Sequence, residues 1–196
     1  MVHYVLECGT REQRQAVMRS FYGLEIIRED WREGIVTAWV TSWTSSPYAS
    51  LEDMPYSKID PNYSLLSHVN EVIHVGLDLA ARAKAEWADQ IDMDVLVSAL
   101  ISHDVDKPLM YLRKPEGLVI APLARVLPHG VVGAMILKDA GIPEDVFSIV
   151  ATHASTAPFH GSSLEAYVLH YADFFVSDRA CLRSGAAPFY QRKWSS

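Results

Sequence analysis

The chain has 196 residues, 49% hydrophobic and 21% charged, a composition that excludes disordered, collagen-like and small disulfide-scaffold classes. Seventeen Lys and Arg against 24 Asp and Glu leave a formal charge of −7, spread over both parts of the chain, so nucleic acid is disfavoured as a partner. Cys8 and Cys181 suit a reducing compartment, the start lacks a signal-peptide pattern, and no apolar run approaches the roughly 18 residues of a membrane helix, so a cytoplasmic protein without a membrane partner is expected.

Residues 2–7 alternate weakly and predict a strand. Thr10 reads as the N-cap of a helix from Arg11 to Tyr22, with Val17, Met18 and Phe21 at helical spacing and Gly23 closing it. Leu24 to Arg28 and Ile35 to Trp43 are rich in β-branched and aromatic residues. Asp30 to Gly34 between them reads as a hairpin turn, so the first 43 residues predict a small α+β piece. From Thr44 to Tyr63, Pro47, Pro55 and Pro61 among Ser and Tyr predict an irregular connection. It is the candidate boundary between an α+β appendage with its connection, 1–60, and a helical body, 61–196. Helical signals then dominate: Leu65 to Trp87, Asp94 to His103, His129 to Ala140, Pro143 to Ala154, and Ser163 to Arg183. Between Asp104 and His129, Pro108, Pro115, Gly117, Pro122 and Pro128 make a segment too broken for one helix and long enough to be functional. The fold class is mainly α, a helical bundle with a small N-terminal α+β appendage.

The histidines fall on the wrong faces of these helices. His68 lies on the stripe of Val72, Val75 and Leu79; His103 shares a face with Leu96, Ala99 and Leu100. His153 repeats the pattern with Val146, Ile149 and Val150, and His170 and Asp173 do so with Ala166 and Leu169. An ionisable group buried unpaired costs several kcal/mol or is forced neutral, so each needs a partner. One such residue reads as a core histidine with one hydrogen bond. Four on four helices are explained together by mutual satisfaction around a metal. Without cysteine in the set, the donors suit iron, manganese, nickel, cobalt or catalytic zinc.

His103-Asp104 at a helix end, with an earlier His68 and a later Asp173, resembles the His…His-Asp…Asp signature of the HD superfamily of metal-dependent phosphohydrolases. His129 and His153 stand where its binuclear branch supplies ligands to a second metal, and the resemblance covers about residues 64–183. It implies an HD-type helical bundle and two divalent ions, Fe or Mn first, with Ni, Co or Zn as alternatives. It further implies that His68, His103, Asp104 and Asp173 hold one ion and Asp104, His129 and His153 the other, with Asp104 bridging. More locally, Leu127-Pro-His-Gly-Val-Val-Gly-Ala134, His153-Ala-Ser155 and Ala172-Asp173 with Arg179 are similar to the bacterial symmetrical diadenosine tetraphosphate hydrolases. Ala154-Ser-Thr-Ala157 stands where those proteins have a Thr-Thr-Gly-like run.

Two such ions can share a bridging hydroxide as nucleophile and neutralise charge on a phosphoryl oxygen, so the partner expected is a small anionic phosphorylated substrate. Lys107 matches the lysine of the superfamily's His-Asp-x-x-Lys run and would bind a non-bridging oxygen; otherwise it is a solvated helix-end lysine. Asp106 orients a ligand histidine, handles protons, or caps the turn before Pro108. Arg113, Lys114 and Arg125 are placed to reach an anionic substrate or serve the surface. Arg179 contacts phosphate or forms a salt bridge to Asp178 or Glu165. Tyr48, Tyr56 and Tyr63 shape the pocket as part of a lid, or pack in the core. Trp39 and Trp43 dock the N-terminal piece on the bundle or on a second subunit, which leaves a homodimer open. The reading is a binuclear phosphohydrolase of a nucleotide or other small phosphoester. The alternative is a mixed-valence diiron oxygenase cleaving a C–C or C–P bond, because a branch of the superfamily uses the same ligands for that chemistry.

Overall fold

Thr10 opens the first helix, α1 (Arg11–Ser20), with a capping box: its hydroxyl accepts from the Gln13 amide, and the Gln13 side chain accepts from the Thr10 amide. The computed structural model describes residues 3–60 and 62–191. Residues 3–7 form neither helix nor strand, which corrects the strand expected over 2–7; residue 2 lies outside the described residues. Val5 and Leu6 are exposed there, so the alternation buries nothing, and the stretch is tied down instead by Glu7 exchanging hydrogen bonds with the Thr41 hydroxyl.

The α+β expectation for the N-terminal piece is overturned. Residues 24–26 form turns, and the second presumed strand lies inside a helix, α2 (Glu29–Thr44), with no strand among the described residues before 60. Burial outweighs β propensity here: Ile35, Val36, Trp39 and Val40 line helical faces that are wholly covered, and Trp39 donates its Nε1–H to Ile101 O at 3.2 Å. The presumed hairpin turn is the start of this helix. Glu29 and Asp30 favour its positive end, and Gly34 is glycine because a Cβ would sit 2.7 Å from Ile142 Cδ1 and 2.9 Å from Ala140 O. Trp39 therefore docks this piece on the bundle.

The connection is irregular as expected, closed by a bridge between Pro55 and Ser64. Beyond it come α3 (Leu65–Trp87), α4 (Met93–Ser102), the four-residue α5 (Lys107–Met110), α6 (Val131–Asp139), α7 (Glu144–Thr152) and α8 (Leu164–Arg183). The long helices match the sequence pattern to within a turn, and Ser64, Asp92 and Ser163 cap α3, α4 and α8 through side-chain oxygens. The broken segment holds an antiparallel hairpin, β1 (Tyr111–Lys114) with β2 (Gly117–Ile120), Tyr111 opposite Ile120, followed by a 3-10 turn at Leu123–Arg125.

α3 packs on α4 and α8, α4 on α7 and α8, and α2 lies over α4 and α6, so one buried apolar cluster runs from Val17 to Ala180. α3 and α4 approach closely at Gly76, where a Cβ would lie 2.6 Å from Leu100 Cδ2. Gly76→Ala is expected to lose about 1–3 kcal/mol in urea unfolding by forcing these helices apart. An unchanged midpoint would show that the contact yields freely. Among the described residues no helix is long and apolar enough to cross a membrane.

Candidate metal centre

Two helices end in the same way. His103 follows α4 and His153 follows α7, and each ring donates Nδ1–H to the carbonyl three residues back, Leu100 O at 2.9 Å and Val150 O at 2.7 Å. Carbonyls of a last helical turn lack helical partners, so the bond satisfies them and fixes the ring. It also fixes the tautomer, because a neutral imidazole with its proton on Nδ1 presents a lone pair at Nε2. His129, just before α6, is held likewise, with Nδ1 donating to Asp106 Oδ1 at 2.8 Å. Asp106 is fully buried and also accepts from the amides of Gly130 and Gly133. His68 comes from the second turn of α3, and Asp173 from the middle of α8.

These rings converge on Asp104, and its two oxygens divide them. Oδ1 lies 2.9 Å from His129 Nε2 and 3.7 Å from His153 Nε2. Oδ2 lies 3.3 Å from His68 Nε2 and 3.4 Å from His103 Nε2, and His68 Nε2 is also 3.2 Å from Asp173 Oδ1. Two groups with metal-ligand spacing result: His68, His103 and Asp104, and Asp104, His129 and His153.

Imidazole lone pairs aimed at carboxylate oxygens, and at each other across the 3.2 Å between His68 and His103, repel unless protons or cations lie between them. Asp104 Oδ2 and His68 Nδ1 are buried without a hydrogen bond, and the Lys107 ammonium, 2.8 Å from Oδ2, is the permanent charge beside that oxygen. A nitrogen and oxygen donor set of this kind fits divalent ions. Burial pushes His68 down to about 4 against the pull of Asp173, so it is neutral at pH 7. Burial likewise lowers His153, whereas for His103 it is outweighed by the Asp104 carboxylate, which raises the ring's pKa.

His129 behaves differently. Burial opposes its charge, but Asp106 and Asp104 outweigh burial and raise the ring to about 10. Without metal it carries protons on both nitrogens at pH 7.5, and by linkage this stabilises the chain below the ordinary histidine pKa and is lost as the pH rises toward 10. A metal ion must displace the Nε2 proton. Loading with Mn(II) at pH 7.5 is therefore expected to release about one proton per chain from this ring, and calorimetry in two buffers of different ionisation enthalpy measures it. Loading without proton release would show that the His129 ring does not carry the second proton that this pKa implies.

A family model described as the HD domain matches residues 65–176, more than half of the chain. The chain belongs to the HD-domain family. A curated relative of this HD domain, the dihydroneopterin 2′,3′-cyclic phosphate phosphodiesterase of Methanocaldococcus jannaschii, is 29% identical over 110 residues, 56% of this chain and 44% of that protein. The chain thus spans less than half the length of that relative. No solved structure matches this chain.

Beside the centre of this HD domain lies a cleft of about 110 Å³, walled by Tyr56, Lys107, His129, His153, Asp173 and Phe174 among others. Lys107 is the one Lys or Arg among its described walls. Burial opposes the Lys107 charge, but Asp104 outweighs it and raises the pKa, so the ammonium keeps its proton. The three arginines named in the sequence do not line the cleft. Arg113 is exposed and donates to Asp53 O at 3.4 Å, and Arg125 is exposed on the 3-10 turn. Arg179 pairs at 2.5 Å with Glu71, which also accepts from the Tyr63 hydroxyl, so its partner is neither Asp178 nor Glu165. Asp106 sits beneath His129 and does not line the cleft; of its three readings, the bond to the His129 ring supports orientation, and no side-chain cap bond to the turn before Pro108 forms. Of the tyrosines only Tyr56 reaches the cleft; Tyr48 donates to Tyr111 O. Ser177 was not singled out by the sequence. It donates to Asp173 Oδ1 at 2.9 Å, and its one signal is its place a helical turn after Asp173.

Proposed function

We propose that the chain is a binuclear metal-dependent phosphohydrolase of a small phosphoester. His68, His103, Asp104 and Asp173 would hold one ion, and Asp104, His129 and His153 the other. The division of Asp104 carries this reading: a carboxylate whose two oxygens face separate sets of imidazole nitrogens has the arrangement of a bridging ligand. Bound divalent ions, Fe or Mn by donor type, supply Lewis acidity toward a phosphoryl oxygen and lower the pKa of water toward neutrality. The chain's own side chains do the rest. Lys107 supplies a fixed positive charge at the cleft wall for a non-bridging oxygen, held in place by Asp104. Asp106 keeps the His129 ring in one orientation, and the last-turn carbonyls do so for His103 and His153. Residues 61–196 form the catalytic body in this reading, with 1–60 as a helical cover that reaches the site through Tyr56, and a cytoplasmic setting goes with it.

The phosphodiesterase relative supports ester hydrolysis over dioxygen chemistry, and a cleft this small suits a compact phosphodiester, cyclic ones included. The test is elemental analysis of protein purified without added metal, then assays with bis(p-nitrophenyl) phosphate, 2′,3′-cyclic nucleotides and phosphomonoesters under Mn, Fe, Ni and Co. Two metal equivalents per chain and turnover of a diester are expected. A mixed-valence diiron EPR signal that responds to substrate, with no phosphoester cleaved, would replace hydrolysis by the oxygenase alternative.

A further inference from the structure

The irregular connection delivers one side chain into the metal centre. Its end folds back on itself: the Tyr56 amide donates to Tyr63 O at 3.0 Å, and the Leu65 amide to Met54 O at 2.8 Å, around the Pro55–Ser64 bridge. Tyr56 is thereby buried to 6% exposure. Its ring stacks on His68 with centroids 3.9 Å apart, and the Lys107 ammonium lies 3.8 Å from the ring centroid. Its hydroxyl lies 2.6 Å from Ser177 Oγ. A serine hydroxyl has one proton to give, and Ser177 gives it to Asp173 Oδ1 at 2.9 Å. Tyr56 must then be the donor to Ser177. The chain of bonds runs in one direction, from Tyr56 through Ser177 to Asp173, whose same oxygen lies 3.2 Å from His68 Nε2.

We propose that Tyr56 and Ser177 act together as a positioning pair for the ion assigned to His68, His103, Asp104 and Asp173, holding the Asp173 carboxylate by the hydrogen-bond chain and the His68 ring by stacking. The proposal rests on that ligand assignment. Both residues lie outside the matched stretch 65–176, Tyr56 before it and Ser177 just after it. The other group of ligands is oriented separately, His129 by Asp106 and His153 by Val150 O. An effect confined to one of the two ions is the consequence. Ser177 touches the carboxylate and Tyr56 acts through it, so losing the Ser177 hydroxyl releases the carboxylate further than losing the Tyr56 hydroxyl, and the Tyr56 effect vanishes once Ser177 is gone.

The test is titration of the metal-free full chain with Co(II), followed by visible absorption and calorimetry, for wild type, Tyr56→Phe, Ser177→Ala and the double variant. Tyr56→Phe keeps the ring on His68 and removes only the donor. Ser177→Ala is expected to weaken one of two Co(II) equivalents about 10-fold, the lower end for partners that orient a metal ligand, and Tyr56→Phe to weaken the same equivalent by less. The double variant should lose no more than Ser177→Ala alone, and Ser177→Thr, which keeps the hydroxyl, should bind as wild type does. Wild-type affinity for both equivalents in Tyr56→Phe, equal weakening of both, or additive losses in the double variant would overturn the pair. Wild type that binds no Co(II) would overturn the ligand assignment and the pair with it. Wild type that binds one equivalent would overturn only the dinuclear reading, and a 10-fold or absent effect on that equivalent would still decide the pair.

Discussion

Asp104→Ala is expected to empty both proposed ion sites at once and to lower the proposed phosphoesterase activity by roughly 10⁴-fold or more, because the loss removes what lowers the pKa of water by about nine units. The cause is geometric: both of its oxygens are in use, one toward His129 and His153, the other toward His68 and His103. Lys107, 11% exposed, also loses its charge partner, so the alanine variant suffers in stability as well. Asp104→Asn separates the two effects by keeping the volume while removing the charge. Elemental analysis after dialysis should find at most traces of metal in both variants. Two retained equivalents per chain in either would show that the histidines hold metal without a bridging carboxylate.

Asp106→Ala is expected to cost about 3–5 kcal/mol in urea unfolding of the metal-free chain, although Asp106 does not face the cleft. Its carboxylate accepts from His129 Nδ1 and from the amides of Gly130 and Gly133, all at 2.8–3.2 Å. Burial raises the Asp106 pKa in itself, but His129 and the Gly130 amide outweigh it and lower the value, so the group is a carboxylate when those bonds form. Removing it strands three donors in the interior and frees the His129 ring to turn. Metal affinity of the His129 group should then fall about 10- to 100-fold, while the His68 group keeps its own. A stability change under about 1 kcal/mol would mean that water replaces the carboxylate and that the ring is held by something else.

The parts of the centre legible in the sequence share one signal. His68, His103 and His153 are polar residues at helical spacing on apolar stripes, which is a conflict that only an inward partner resolves. The cap at Thr10 was legible because a short polar side chain ahead of an apolar period satisfies helix amides wherever the helix is later packed. Asp106 was legible only as three alternatives, since a carboxylate before a proline looks the same whether it caps a turn or holds a ring. Ser177 was not legible, because a serine on a helix carries no signal until Asp173 and Tyr56 stand beside it. Nearness in sequence did not place the arginines: Arg179 lies on the helix that carries Asp173, yet its partner is Glu71 from α3.

The N-terminal 60 residues mark the limit of local reading. Ile35, Val36, Trp39 and Val40 have the composition of a strand, and Gly34 that of a turn, yet all lie in one helix because α4 and α6 cover it and because Ile142 leaves no room for a Cβ at Gly34. Periodicity and capping are properties of a few neighbouring residues, so the sequence by itself determined the helices of the body, the family signature and the identity of the inward-facing donors. Packing between distant segments decided the rest: a helical N-terminal cover, a carboxylate shared between two sets of rings, and a tyrosine from the connection set against His68. Those features depend on which side chains meet across the core, and that is settled only when burial is shared among elements far apart in the chain.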